Sequence, residues 1–213
     1  MVPTLLASAY ETSEKSALSR ILVEAEVLFA ERGFDGVSIN EVALAAGVCK
    51  ANVFHHFATK QELYERVLTQ ACDAFGRSLD ALELKEQGLA ARLRRLVDWH
   101  NAFLYQRPHG TRLILRELTG SPTALERSPV FPLIQHNFDR VVALLSEVSH
   151  ELRPGISPAL VAKVVLSLNL FGFQTERLNE KLAMSGSLAA RPELQRELLD
   201  LLLHGMQVPL PPS

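Results

Sequence analysis

The sequence predicts an all-α fold, and three observations carry that expectation. Apolar residues recur at helical spacing along most of the chain, and no alternating stretch is long enough for a convincing strand. Pro108, Pro122, Pro129, Pro154, Pro158 and Pro192 fall at or near the ends of the periodic segments, where proline is tolerated or stops a helix. The 213 residues are 47% hydrophobic, enough for a substantial core and outside the disordered range.

The first helix is expected from about Ser13 to Arg32. Leu18, Ile21, Leu22, Ala25, Leu28 and Phe29 form its apolar stripe, and Glu24, Glu26 and Glu31 lie off it. Gly33-Phe34-Asp35-Gly36 ends it, with Gly33 suited to the left-handed cap position. Ser38 opens a second helix with a capping box, its hydroxyl accepting from the Glu41 amide while Glu41 reaches back. Val42, Ala43 and Ala46 are the small apolar face of that helix, and Gly47 turns the chain. A third helix is expected from Lys50 to His56, anchored inward by Val48, Val53 and Phe57. Thr59 and Glu62 offer a second capping box to a long helix running through Leu63, Val67 and Ala71 to about Leu84. Past Gly88, amphipathic helices are expected at 89–106, 109–118, 128–151, 158–182 and 191–206, with a frayed tail at Pro209–Ser213.

Several classes are excluded by composition and motif. Apolar runs are broken by charge or proline before the roughly 20 residues that a membrane span requires. Met1–Tyr10 lacks the basic start of a secretory signal. Two cysteines, Cys49 and Cys72, make neither a disulfide framework nor a metal quartet, so a reducing cytoplasm is the expected location. No nucleophile elbow, phosphate loop, dinucleotide fingerprint or metal-ligand pair occurs, so neither an enzyme nor a bound cofactor or metal is expected. His55 and His56 are adjacent and project to different sides of a helix.

Two short helices joined through Ala45-Ala46-Gly47-Val48 have the sequence form of a helix-turn-helix. Ala43 and Ala46 are small enough for a close crossing. The outer face of the following helix (Cys49, Lys50, Ala51, Asn52, His55 and His56) carries no acid that would repel a phosphate backbone. Lys50 and Asn52 suit base edges or phosphates, Ala51 allows close approach, and the helix start near Cys49 offers amides to a phosphate. Charge pulls the other way. The chain carries a net −2, and residues 1–60 hold five bases (Lys15, Arg20, Arg32, Lys50, Lys60) against seven acids (Glu11, Glu14, Glu24, Glu26, Glu31, Asp35, Glu41). A partner bound mainly by counterion release calls for a basic surface, so binding here must rest on local placement and pairing of two heads.

Residues from about 18 to 67 resemble the N-terminal domain of the tetracycline-repressor (TetR) family of regulators. The matching pieces are Ile21-Leu22, Leu28 to Phe34, Val37 to Ala43, Ala46-Gly47-Val48, Val53 to Phe57 and Lys60 to Leu63. The resemblance implies an all-helical homodimer that binds a DNA operator and releases it on binding a small molecule. It also implies that Ser38 and Lys60 contact phosphate, that Lys50, Ala51, Asn52 and His55 face the groove, and that Phe57 is buried. Two positions depart. Cys49 stands where the family usually has the capping Ser, and Phe54 where it usually has a Tyr whose hydroxyl contacts phosphate. Two readings of Cys49 stand together: a small replacement for Ser, or a helix-terminal thiol beside Lys50 acting as an oxidation switch. Cys72 is not obviously placed to resolve such a switch.

The expected domains are 1–60, a three-helix helix-turn-helix domain that binds DNA, and 61–213, a larger helical domain for ligand binding and dimerisation. The helix around 158–182 is apolar nearly all round (Leu160, Val161, Val164, Val165, Leu168, Leu170, Phe171). The last helix repeats this in Leu198, Leu199, Leu201, Leu202, Leu203 and Met206. Such helices must be covered on both sides, either by a twin subunit in a four-helix interface or within an intradomain hairpin. Trp99, His100, Phe103, Tyr105, Phe131, Phe138, Asn169 and Phe173 are candidates for a shared cavity for a small hydrophobic or amphipathic effector, although a histidine on such a stripe is more often a satisfied core residue than a ligand contact. Arg116 and Glu117 read as an ion pair steadying their helix. The alternative to a DNA reader is a helical interaction protein that dimerises without touching DNA. For the reader, effector binding would shift a two-state population and reposition helix 60–84, moving the heads out of register with successive grooves of a palindromic operator.

Overall fold

The computed structural model describes residues 3–84, 88–176, 178, 181, 197 and 199–204. Among these the order is α1 (Pro3–Arg32), α2 (Ile39–Ala45), α3 (Lys50–His56), α4 (Lys60–Asp80), α5 (Leu89–Gln106), α6 (Pro108–Thr119), α7 (Pro122–Arg127), α8 (Phe131–Ser146), a 3-10 turn (Ser149–Glu151) and α9 (Pro158–Gln174). Residues 199–204 are also helical, and no strand occurs among the described residues. The chain is all-α. By packing it forms two compact units, Met1–Asp73 with His109–Phe131, and Ala74–Pro108 with Pro132–Ser213.

In the first unit the α1 stripe is the core, with Ile21, Ala25 and Phe29 fully buried. The helix stops because Gly33 turns to φ +75° while its amide still donates to Phe29 O at 2.9 Å. The Ser38 capping box forms in full. At the far end of α2, Val48 N donates to Ala43 O at 3.0 Å and Gly47 N to Leu44 O at 3.2 Å. This pair of bonds ends a helix on a left-handed glycine, and Gly47 sits at φ +64°. The α4 start is a variant box: Glu62 N donates to Thr59 Oγ1, but the Glu62 carboxylate accepts from Ala58 N rather than from the Thr59 amide. The segment 109–131 joins this unit through α6, where Leu113 is fully buried. A side chain at Gly110 would lie 3.4 Å from both the Ala71 Cβ and a Glu26 oxygen, so α6 approaches α4 and α1 closely there.

The core of the second unit gathers Leu89, Leu93, Leu96 and Val97 of α5 with Val141 and Leu145 of α8, Val161 and Val165 of α9, and Leu199 and Leu203. Two polar devices set its geometry. The Leu89 amide, at the start of α5, donates to Glu151 Oε2 at 3.0 Å, and the Leu160 amide donates to Ser157 Oγ at 3.2 Å with Pro158 beginning α9.

Some boundaries differ from expectation. α1 begins ten residues earlier, at Pro3 instead of Ser13. α4 ends at Asp80, where the chain tightens into a turn (Leu82 N to Leu79 O, 3.1 Å) that keeps Leu82 buried. The expected helix 128–151 is α8 alone, followed by the 3-10 turn whose Glu151 is drawn to the start of α5, and α7 precedes it, with Pro122 in its first turn. Of the expected last helix, residues 197 and 199–204 are helical; Leu198, Met206 and the tail Pro209–Ser213 lie outside the described residues.

Candidate nucleic-acid interface

The α3 helix is held by two inward side chains one turn apart, Val53 and Phe57, both buried. That register decides everything else on the helix. Lys50, Ala51, Phe54 and His55 are exposed, and Asn52 and His56 are half-buried. Asn52 Oδ1 and His56 Nε2 are buried atoms with no hydrogen-bond partner among the described residues. They lie one turn apart on the helix. Lys50 Nζ sits 5.7 Å from the centre of the Phe54 ring, so the cation stays near the exposed face. Cys49 occupies the cap position with extended backbone, makes no side-chain cap bond and is exposed. Cys72 is buried, and desolvation, then Asp73, push its thiol up to about 12, the environment of an inert cysteine.

Ser38 and Lys60 meet at the loop that ends α1. Ser38 Oγ donates to Glu41 Oε2 at 2.8 Å and accepts from the Glu41 amide at 3.3 Å. Glu41 also takes Arg32 Nη1 at 2.8 Å, and the Ser38 amide and hydroxyl hold its carboxyl below the usual range. Lys60 is turned inward. Its ammonium donates to Phe34 O at 2.9 Å and Val37 O at 3.1 Å and lies 4.1 Å from the Phe34 ring centre. Two of its three donors therefore tie the loop that leads into Ser38. Arg20, a residue the sequence offered only as a charge, closes the other end of α2: its Nε donates to Ala46 O at 3.0 Å, a cation at a helix C-terminus.

Behind the head, Phe29, Phe34 and Tyr64 form an aromatic cluster with centroids 5.1–6.3 Å apart. The Tyr64 hydroxyl donates to Glu117 Oε1 at 2.8 Å, and burial, then Glu117, keep that phenol protonated far up the scale. The expected Arg116–Glu117 ion pair does not form. Neighbours on a helix diverge, and Arg116 instead covers Gly33, with Nη2 3.4 Å from Ala30 O.

In the second unit, Trp99, His100 and Phe103 pile on Phe75, with ring centroids 5.2–5.8 Å from it. Phe75, absent from the expected set, continues the α4 stripe one turn past Ala71. His100 is 2% exposed, and Asn169 Nδ2 lies 3.1 Å from its Nδ1. Burial alone pushes the His100 imidazole down to about 3, so it is neutral. Trp99 Nε1 donates to Ser78, Phe173 stacks edge-on with Tyr105 at 5.3 Å, and Phe138 packs against the same core. Phe131 belongs to the first unit. Among the described residues no group of three or more His, Cys, Asp or Glu could hold a metal, and no helix is long and apolar enough to cross a membrane.

Two short helices set across α1, the second presenting an acid-free face, define the class of a helix-turn-helix head on an all-helical chain. Residues 21–67 match the model of the bacterial regulatory proteins, tetR family. Over 114 residues it is 29% identical to a Bacillus subtilis protein described as "Probable HTH-type transcriptional regulator YttP", covering 52% of this chain and 54% of that one. The match thus spans about half the length of that relative. In fold it is similar to the ketosteroid transcriptional regulator KstR2 of Mycobacterium tuberculosis, with TM-score 0.67, 18% identity and coverage of 90% of this chain and 95% of that one. It is also similar to the TetR family transcriptional regulator PfmR of Thermus thermophilus, with TM-score 0.63, 23% identity and coverage of 89% and 97%.

Proposed function

We propose that the chain is a cytoplasmic, ligand-responsive DNA-binding regulator that acts as a homodimer on a palindromic operator and is released by a small hydrophobic or amphipathic effector. The observation that carries the DNA contact is the outer side of α3: no acid and one cation, with Lys50, Ala51, Phe54 and His55 exposed. Lys50, Asn52 and His55 would read or approach bases over Ala51, and Ser38 would meet phosphate once Glu41 gives up its hydroxyl. Lys60, holding the loop, acts here as a positioning residue.

Pairing is supported by Leu160 and Phe171 of α9, two large apolar side chains 50% and 67% exposed, which water does not favour. Two copies related by a two-fold axis would present their α3 helices about one DNA turn, roughly 34–36 Å, apart. The effector reading rests on the aromatic group around Phe75, with the His100–Asn169 pair as its polar element. The ligand would act by unequal affinity for two arrangements of the heads, transmitted along α4.

A gel-shift series on palindromic duplexes at several salt concentrations tests the contact. Lys50→Ala and Asn52→Ala should each weaken binding about tenfold to hundredfold, the effect of a lost base contact of about 1–3 kcal/mol, with melting unchanged. Unaltered affinity in both variants would remove α3 from the interface.

A further inference from the structure

Of the ten phenylalanines only Phe54 and Phe171 are exposed, and Phe171 lies on the side of α9 proposed for pairing. Phe54 is left 43% exposed in the middle of α3, where Val53 and Phe57 take the inward positions. Its neighbours one turn back are Lys50, whose ammonium lies 5.7 Å from the ring centre, and Ala51. An ammonium within about 6 Å of a ring is drawn to its face, so the pair keeps the ring on the open side. No acid occurs between Glu41 and Glu62 to hold a polyanion away from it.

The chemistry of the ring narrows what it can meet. A benzyl group has no donor or acceptor, so against a phosphate it would strip water from the anion and return no hydrogen bond. Base edges in the major groove are mostly polar too, offering ring nitrogens, carbonyl oxygens and amino groups. The one apolar group there is the 5-methyl of thymine. Ala51 precedes Phe54 by three residues, so its methyl and the ring adjoin on the helix surface and can close on such a group from two sides.

We propose that Phe54, with Ala51 beside it, determines operator specificity by taking the 5-methyl group of a thymine, once in each half of a two-fold duplex. This rests on the reading of α3 as the DNA-facing helix and adds to it the base that the helix selects. Lys50 supplies the charge that draws the helix to the polyanion, and Phe54 supplies the preference among sequences.

The test enriches duplexes from a randomised palindromic library with the parent, then replaces each enriched thymine by deoxyuridine, which lacks only the methyl. At one position in each half, the parent should bind the deoxyuridine duplex about fourfold more weakly, the effect of one buried methyl, and about sixteenfold more weakly with both halves changed. Phe54→Ala should bind the thymine and deoxyuridine duplexes alike at that position, with an unchanged melting temperature, since the ring lies off the core. Phe54→Leu keeps a smaller apolar group and should show a preference below the parent's, a comparison that holds even if Phe54→Ala binds no duplex. Indifference of the parent to the methyl at every enriched thymine, the outcome expected of a ring packed on deoxyribose, would overturn the proposal, as would either variant keeping the parent's full preference. A parent that binds duplexes but ignores the methyl leaves the DNA reading of α3 standing. A parent that enriches no duplex overturns both.

Discussion

The α3 and α9 helices each bury one side and leave the other to water, and the two open sides differ in how much large apolar surface they carry. On α3 the open side is Lys50, Ala51, Phe54 and His55, a cation, an imidazole and a small residue around one exposed ring. On α9 it is Leu160 and Phe171 with the exposed Lys163, Ser167 and Gln174 between and beside them, and Val164 and Leu168 half-buried. A seven-residue helix with two anchors cannot contribute much stability, whereas a seventeen-residue helix in a large core can. The contrast teaches where function and cohesion are kept apart. In the proposed function the α3 surface meets a polyanion, and the α9 surface meets a copy of the chain.

The largest effect is expected where that contrast is sharpest. Phe171→Asp puts a charge on the open side of α9 twice in a two-fold pair, and should weaken self-association by about 4 kcal/mol or more, roughly a thousandfold. Sedimentation equilibrium reads it, and a variant that remains paired at the parent's concentration breaks the comparison on its α9 side.

A smaller effect concerns the core beneath α9. His100 takes up a proton near 6.5 when unfolded but only near 3 when folded. A folded pKa below the unfolded value means that the unfolded chain binds the proton first, so stability is full above about 6.5 and is lost as pH falls from there toward 3. The loss at pH 5 relative to pH 8 is about 2 kcal/mol. Melting curves of the parent and His100→Gln at the two pH values check it, the variant being less stable throughout but shallower in acid.

The smallest is on the head. Ser38→Ala removes the cap that α2 receives and should cost about 1 kcal/mol by thermal melting. Because Ser38 is also placed beside the loop that Lys60 holds, a loss of DNA affinity beyond that of melting would separate its two roles.

Much of the head was legible because its signals are local. The capping box, the glycine at the end of α1 and the bounds of α3 each depend on residues within four positions of one another. The inward Lys60, the Arg20 bond to Ala46 O and the Tyr64–Glu117 bond were not legible, since each joins residues 26 to 53 apart. The same holds for the packing of 109–131 with the head, for which no nearby residue gives notice. Phe75 was visible on the α4 stripe but indistinguishable there from any core aromatic. The Arg116–Glu117 reading failed because adjacency in sequence was mistaken for adjacency on a helix surface.

The most direct test is a photo-crosslinking residue at position 51, at the centre of the open side of α3, in the whole chain bound to a palindromic duplex. Adducts are predicted on bases at two symmetric places about one helical turn, roughly 10 base pairs, apart. Duplex that is bound without any adduct from position 51, or with adducts at one place alone, would contradict a paired reading head built on α3.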